Sequence, residues 1–380
     1  MQENMKAFFG KIWAFAKKEV VLSIAIVAAI ITCFFVPPDK QYLEYFEWKT
    51  LCALFCMLAV VAGLKHTNVF ELVSRKMISL FHTRRAVIRV LVFGTYFFDM
   101  IVANDMSLIT FLPLAYIVLH STGNDKYLSF TFIMMTIAAN MGGMITPYGN
   151  PQNLFLFSYY EMGLLDFLYA LCVQAAAILV MLFLCTFFVK NEPLHLVNDQ
   201  KLQIRTKELV VYTVLFVMVI LSIFRVIPHI VTLIAVVLAV LIMEWERFKE
   251  VDYALLSTFC VFFVFSGNMA RIPAIKELIQ NIVGANGENV LIAGLVSCQF
   301  ISNVPTAIFL SEFTNVAYST DLLVAVNVGS LGILISSLAS LITLKEFLKH
   351  QPKGFKKYML LFTVLNTSFL IVQLIITFLR

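Results

Sequence analysis

Apolar stretches follow one another along this chain, separated by short polar connections. Those at 20–36, 49–64, 166–189, 209–224, 230–243, 253–268 and 358–378 approach or reach the roughly 17–25 residues that carry a helix through about 30 Å of hydrocarbon. They lack the period-two alternation of membrane-barrel strands, which need only about 10 residues each. The pattern predicts an all-α polytopic membrane protein.

Four other stretches are apolar but interrupted. The stretch 90–119 is cut by Ala103-Asn104-Asp105-Met106-Ser107, and 290–314 by Ser302-Asn303-Val304-Pro305-Thr306. Their halves are too short to cross a bilayer comfortably, so each predicts a re-entrant hairpin with a polar tip at mid-membrane. The stretch 128–160 is cut between Asn140 and Asn153 by Gly142, Gly143, Pro147, Gly149 and Pro151, and 321–348 by Asn327-Val-Gly-Ser-Leu-Gly332 and then by Ser336, Ser337 and Ser340. Glycine and proline there predict broken helices. Counting the broken helices as spans gives about nine full spans plus two hairpins.

Charge then orients the elements. Lys6, Lys11, Lys17 and Lys18 put the N-terminus in the cytoplasm, with an uncleaved first span after them. Connections 65–89 and 349–357 are also basic and cytoplasmic, and 69–81 can lie amphipathically on the surface. Asp39, Glu44 and Glu47 put 37–48 outside. The polar connection 190–208 divides an N-terminal half, 1–189, from a C-terminal half, 209–380.

The halves resemble each other. Leu51, Phe55, Cys56 and Gly63 align with Leu255, Phe259, Cys260 and Gly267, and Val90, Leu91 and Gly94 with Val290, Leu291 and Gly294. Asn104 follows with one gap against Asn303, and Asn140 and Gly142 against Asn327 and Gly329. Loop charge makes the first copy's opening span run inward and the second's outward, which predicts two inverted-topology repeats around a midplane site.

Broken backbone persists in hydrocarbon only where it lines a cavity, because unsatisfied groups cost several kcal/mol each. Half-helix N-termini favour an anion and freed carbonyls a cation. Asn104, Ser107, Ser302, Asn303 and Thr306 supply neutral side-chain oxygens at the tips; Thr146, Asn150, Asn153, Ser330, Ser336, Ser337 and Ser340 do so in the breaks. Such oxygens suit a weakly held sodium. Asp99 and Asp105 are carboxylates deep in an apolar segment, where a charge is costly, so each is a candidate proton carrier or cation ligand.

Composition excludes the competing classes. The 380 residues are 61% hydrophobic and 13% charged, with a mean hydropathy of +0.89; a soluble domain carries about 25% charge. The net charge of +5 sits in connections and is no nucleic-acid signal. Seven cysteines in apolar segments show neither CxxC spacing nor a cluster with histidine, so neither a disulfide framework nor a transition-metal site is expected. The sequence has no P-loop, HExxH or GxSxG motif. Transport must then be secondary, driven by an ion gradient and not by an enzymatic step.

At its tips and breaks the chain resembles the ion transporter superfamily, which includes divalent-anion:sodium symporters, citrate–metal symporters, arsenite permeases and some sodium/proton antiporters. Asn140-Met-Gly-Gly followed by Thr146-Pro-Tyr-Gly149-Asn150-Pro151-Gln-Asn153 is similar to that group's first break, and Ser302-Asn303-Val304-Pro305-Thr306 to its second tip. The resemblance implies one cation site per half: Asn104 and Asp105 with Thr146, Gly149 and Asn153, and Asn303 with Gly329, Ser330, Ser336, Ser337 and Ser340. It also implies a substrate between the tips, held by Asn104, Asp105, Ser107, Asn150 and Pro151 and by Ser302, Asn303, Pro305 and Thr306. An elevator motion against a homodimeric scaffold would move it. Ala103-Asn104-Asp105 stands where dicarboxylate symporters have Ser-Asn-Thr, which adds a charge.

The expectation is an inner-membrane carrier of a small anion (a di- or tricarboxylate such as citrate or succinate, or an inorganic oxyanion). It would be coupled to sodium or protons and need no cofactor and no partner beyond substrate, lipid and a second copy. Sodium/proton antiport through Asp105 and metalloid permeation stay open as alternatives.

Overall fold

Helix covers nearly every apolar stretch in the computed structural model of the chain, which describes residues 19–102, 104–194, 203–284 and 286–379. The basic N-terminal segment, the tip residue Ala103 and most of the connection between halves lie outside those residues. Among the described residues no strand forms, and one β-bridge pairs Thr83 with Pro193.

In the first half, α1 (Val20–Phe35) and α2 (Trp48–His66) precede a short helix, α3 (Val69–Ser79). A pair follows, α4 (Arg84–Asp99) and α5 (Asn104–Ser121), then α6 (Leu128–Gly142), α7 (Pro151–Tyr159) and α8 (Leu164–Cys185). The second half runs α9 (Thr206–Ile223), α10 (His229–Glu244), α11 (Tyr253–Arg271) and short α12 (Pro273–Val283). The pair α13 (Gly287–Ile301) and α14 (Asn303–Ser311) comes next, then α15 (Ser319–Val328), α16 (Leu338–His350) and α17 (Phe355–Phe378). From α2 and α11 onward the order of elements is the same. Helix α3 matches the amphipathic surface segment expected at 69–81. Its counterpart α12 was not anticipated, because the segment around it is nearly uncharged.

Seven helical segments are long and apolar enough to cross a membrane. Helices α1 and α13 and the segment Val316–Val328 are apolar but shorter. Burial separates them by role: 89% of the span containing α6 is buried, against 17% of that containing α10. Helix α6 is therefore the centre of the bundle. Large apolar side chains such as Ile24, Leu238, Ile242 and Leu360 stand exposed on the outer helices, as a lipid-facing surface requires.

The packing crosses between halves. Helix α1 packs on α11 and α10 on α2; α5 packs on α16 and α14 on α7; α8 packs on α15 and α17 on α6. Within each half α4 packs on α6 as α13 does on α15.

Outside α1, Asp39 pairs with Arg271 at 2.6 and 3.0 Å, and buried Asn268 donates to Tyr42 Oη (2.9 Å) and Thr32 Oγ1 (3.1 Å), tying the 37–48 connection to α11. The Arg271 guanidinium holds the Asp39 carboxyl below the usual carboxylate range. A depressed carboxylate adds stability above its unfolded value of about 3.9 and loses it as pH falls through the lower folded value. Asp39→Asn should therefore flatten the acid side of the stability–pH profile at low salt. Profiles of equal slope below about pH 4 would show that the pair contributes nothing there.

Candidate functional site

Helix α4 ends and α5 begins at the first polar interruption, and the residues between them meet the first break. Asp99 is fully buried. Its Oδ1 accepts from Ser107 Oγ at 2.9 Å. Its Oδ2 has no well-formed hydrogen bond and faces the backbone N–H of Gly143. A Cβ on Gly143 would collide with Asp99 Oδ2 and with the Asn150 side chain, so the carboxylate and the amide converge on bare backbone there. Thr146 Oγ1 donates to the carbonyl of Met100 (2.8 Å), tying the break to the turn after α4.

The first break occurs because Gly142 and Gly143 end α6, while Pro147, Gly149 and Pro151 bar its continuation until α7 starts with Pro151 in its first turn. Asn153 Nδ2 covers three freed carbonyls, those of Gly143 (3.2 Å), Met144 (3.2 Å) and Thr146 (3.4 Å). The Asn150 amide is best satisfied with its nitrogen towards the Gly149 carbonyl (3.1 Å) and its oxygen towards the Met144 N–H (3.3 Å).

The second interruption turns on one residue. Ser302 has φ 74° and ψ 162°, a region that side-chain-bearing residues rarely adopt, at a cost of order 1–3 kcal/mol. Its Oγ donates to the Ser336 carbonyl (3.3 Å) and Asn303 Oδ1 (3.2 Å), and its carbonyl accepts from Thr306 Oγ1 (2.7 Å). Strain held in place by such contacts is typical of ligand clamps and switches. In the second break, Ser336 Oγ donates to the carbonyls of Ser330 (2.8 Å) and Ile333 (2.7 Å).

The two breaks also bond each other. Ser337 Oγ donates to Asn140 Oδ1 at 2.6 Å, Asn327 Nδ2 to Asn153 Oδ1 at 2.7 Å, and Thr136 Oγ1 to Thr343 Oγ1 at 2.7 Å. These side chains are buried at the centre of the bundle.

A cavity of about 610 Å³ opens between α2 and α5. Asn104, Asp105, Asn150 and Pro151 line it, with Tyr148 beside them. Its remaining charged lining is Lys65 against Glu19, Glu250 and Asp252. The first helical turns of α5 and α7 thus border one space. Ser107 stands behind it on Asp99, and Thr146, Gly149 and Asn153 stay within the first break. Ser302, Asn303, Pro305 and Thr306 sit at the start of α14, and Gly329, Ser330, Ser336, Ser337 and Ser340 in the second break; none of these lines the cavity.

Sequence reasoning missed three features. Gly143 is hidden because its role is to lack a side chain. Asp252 and Glu250 come from a connection remote in sequence. Gln299 donates to the Gly329 and Leu331 carbonyls at 2.9 and 3.0 Å. Its position was legible: it follows Asp99 by 200 residues in the same gapless register that pairs Gly94 with Gly294.

All seven cysteines are free, as expected. Among the described residues no group of three or more histidine, cysteine or acidic side chains is placed to hold a metal ion.

The sequence model of the citrate transporter family matches residues 12–328. An uncharacterized transporter of Methanocaldococcus jannaschii is 34% identical over 303 residues, covering 79% of this chain and 81% of that protein. The inner membrane protein YbiR of Escherichia coli is 26% identical over 327 residues, covering 85% and 86% respectively. A match over most of the chain, on a helical multi-span architecture with a central cavity, shows that this multi-pass membrane protein is a transporter and belongs to the citrate transporter family.

Proposed function

We propose that this chain is a secondary carrier of a small anion, coupled to sodium or protons, working by alternating access around the cavity between α2 and α5. The observation that carries the proposal is the convergence of Asn104, Asp105, Asn150 and Pro151 on that cavity, where two helices begin. Helix N-termini offer free N–H groups and a positive dipole end, which favour an anion without a fixed positive charge. Di- and tricarboxylates or an inorganic oxyanion fit that chemistry.

Exchanged packing between halves supports two inverted repeats, with α4–α5 and α13–α14 as the re-entrant hairpins and α6–α7 and α15–α16 as the broken helices. Adding α1 and the second broken helix to the seven long apolar segments gives about nine spans. Alternating access draws support from an asymmetry. In the second half α11 packs directly on α14, with Phe265 and Phe309 rings 5.7 Å apart, whereas α2 and α5 face each other across the cavity. Loop charge puts the open side, with Lys65, in the cytoplasm, so this is an inward-facing state. An inner-membrane location with a cytoplasmic N-terminus, an elevator motion and a homodimeric scaffold complete the reading.

A second reading is favoured by the acids in the lining. Glu19, Asp105, Glu250 and Asp252 outweigh Lys65 and would repel a bare polyanion, which suits cation/proton antiport through Asp105. Thermal unfolding of the purified protein against citrate, succinate, phosphate, sulfate and arsenite, in sodium or in choline, separates the two. A ligand at about 100 times its Kd stabilises the native state by roughly 2.7 kcal/mol. Stabilisation by one anion class, larger in sodium, is the expected result. A response to sodium with every anion silent would replace symport by antiport.

A further inference from the structure

The two breaks occupy equivalent places but differ in the side chain that reaches them. From Val90 and Val290 the halves align without a gap through Gly94 and Gly294 to Asp99 and Gln299. Both end the first arm of a helix pair, and both point at the break of the following helix. At Gly143 that side chain is a carboxylate; at Gly329 it is an amide.

The amide leaves its break satisfied. Gln299 Nε2 donates to the carbonyls of Gly329 (2.9 Å) and Leu331 (3.0 Å), and its Oε1 accepts from the N–H of Ile333 (3.1 Å). Gly332, at φ +110°, lets the backbone close round it, and a Cβ there would stand 3.0 Å from Gln299 Cδ. Carbonyls freed by a broken helix need positive charge or donors. Here a neutral side chain supplies the donors. A cation entering would have to displace those bonds with no charge to compensate.

The carboxylate leaves its break unsatisfied. Asp99 is fully buried, one oxygen takes Ser107 Oγ, and the other has no partner of good geometry. The Asn150 side chain and the bare backbone of Gly143 close on that second oxygen. A buried carboxylate is costly unless it is paired. A proton would need one of these oxygens, whereas an ion of sodium's size uses carboxylate, hydroxyl, amide and carbonyl oxygen together.

We propose that the chain binds one sodium ion, on Asp99, and that the equivalent place in the second half is permanently filled by the Gln299 side chain. The proposal rests on the ion-coupled reading above but concerns binding, not transport. Its test therefore needs no substrate and can fail or hold independently of that reading.

The experiment counts radioactive sodium bound per purified full-length chain by equilibrium dialysis, with ionic strength held by choline. Expected counts are about one for wild type, none for Asp99→Asn and about two for Gln299→Glu, which restores a carboxylate facing freed carbonyls. Unfolding curves report whether each variant is folded. A wild-type count of two or of zero overturns the proposal without recourse to any variant. So does a folded Asp99→Asn that still binds sodium, or a folded Gln299→Glu that binds only one.

Discussion

Alanine at Asn104 or at Asn303 is expected to abolish transport while the protein still inserts and folds. Both residues are buried, at 6% and 3% exposure, and each opens the second helix of a pair. Asn104 borders the cavity; Asn303 Oδ1 accepts from the Val304 N–H (2.9 Å) and from Ser302 Oγ, fixing the strained turn before it. Removing either amide takes away a polar group serving a bound ion or a backbone turn. A hydrogen bond to a charged group is worth about 1.5–3 kcal/mol, so initial uptake should fall by about a hundredfold. The same loss costs the resting fold about 1 kcal/mol. Uptake into proteoliposomes, measured beside unfolding midpoints, keeps the effects apart. Normal uptake by both variants would sink the assignment of the interruptions as binding sites.

The second large effect is on stability. Gly142 lies where α6 presses against α4, and a Cβ there would collide with the backbone carbonyl of Tyr96. Neither backbone can swing aside as a flexible side chain would, and both helices are buried there. Gly142→Ala should therefore cost roughly 3 kcal/mol, the upper end of overpacking penalties. Gly123 makes the contrast: a Cβ there meets nothing within 4 Å, but φ is +68°. Alanine at that position should cost only about 1 kcal/mol, the penalty of the left-handed conformation. Denaturation of the two variants in one detergent compares them. Equal midpoints would mean that α4 and α6 have room to separate.

The class of protein, its helices and its four interruptions were determined by the sequence alone, for a simple physical reason. In lipid every backbone group must be bonded within its own helix, so a run of apolar residues has one available structure. Asn104, Asn140, Asn303 and Asn327 could be marked for the same reason, since polar and helix-breaking residues are tolerated at such depth only where something uses them. The pairing of halves was legible in Val90, Gly94 and their counterparts.

What the tertiary structure decided is which polar groups meet. Sequence spacing cannot say that Ser337 bonds Asn140, that Asn327 bonds Asn153, or that the cavity takes Asn104, Asp105, Asn150 and Pro151 but not Asn303. Those contacts join residues nearly 200 positions apart, and they depend on how helices of different halves cross. Nor could the sequence show that Gly143 must be bare, because a glycine's role there lies in what its neighbours place against it. Asp99 and Gln299 were equally visible in the chain. Only the fold brings one, unpaired, against its break and seats the other, fully bonded, in the equivalent place.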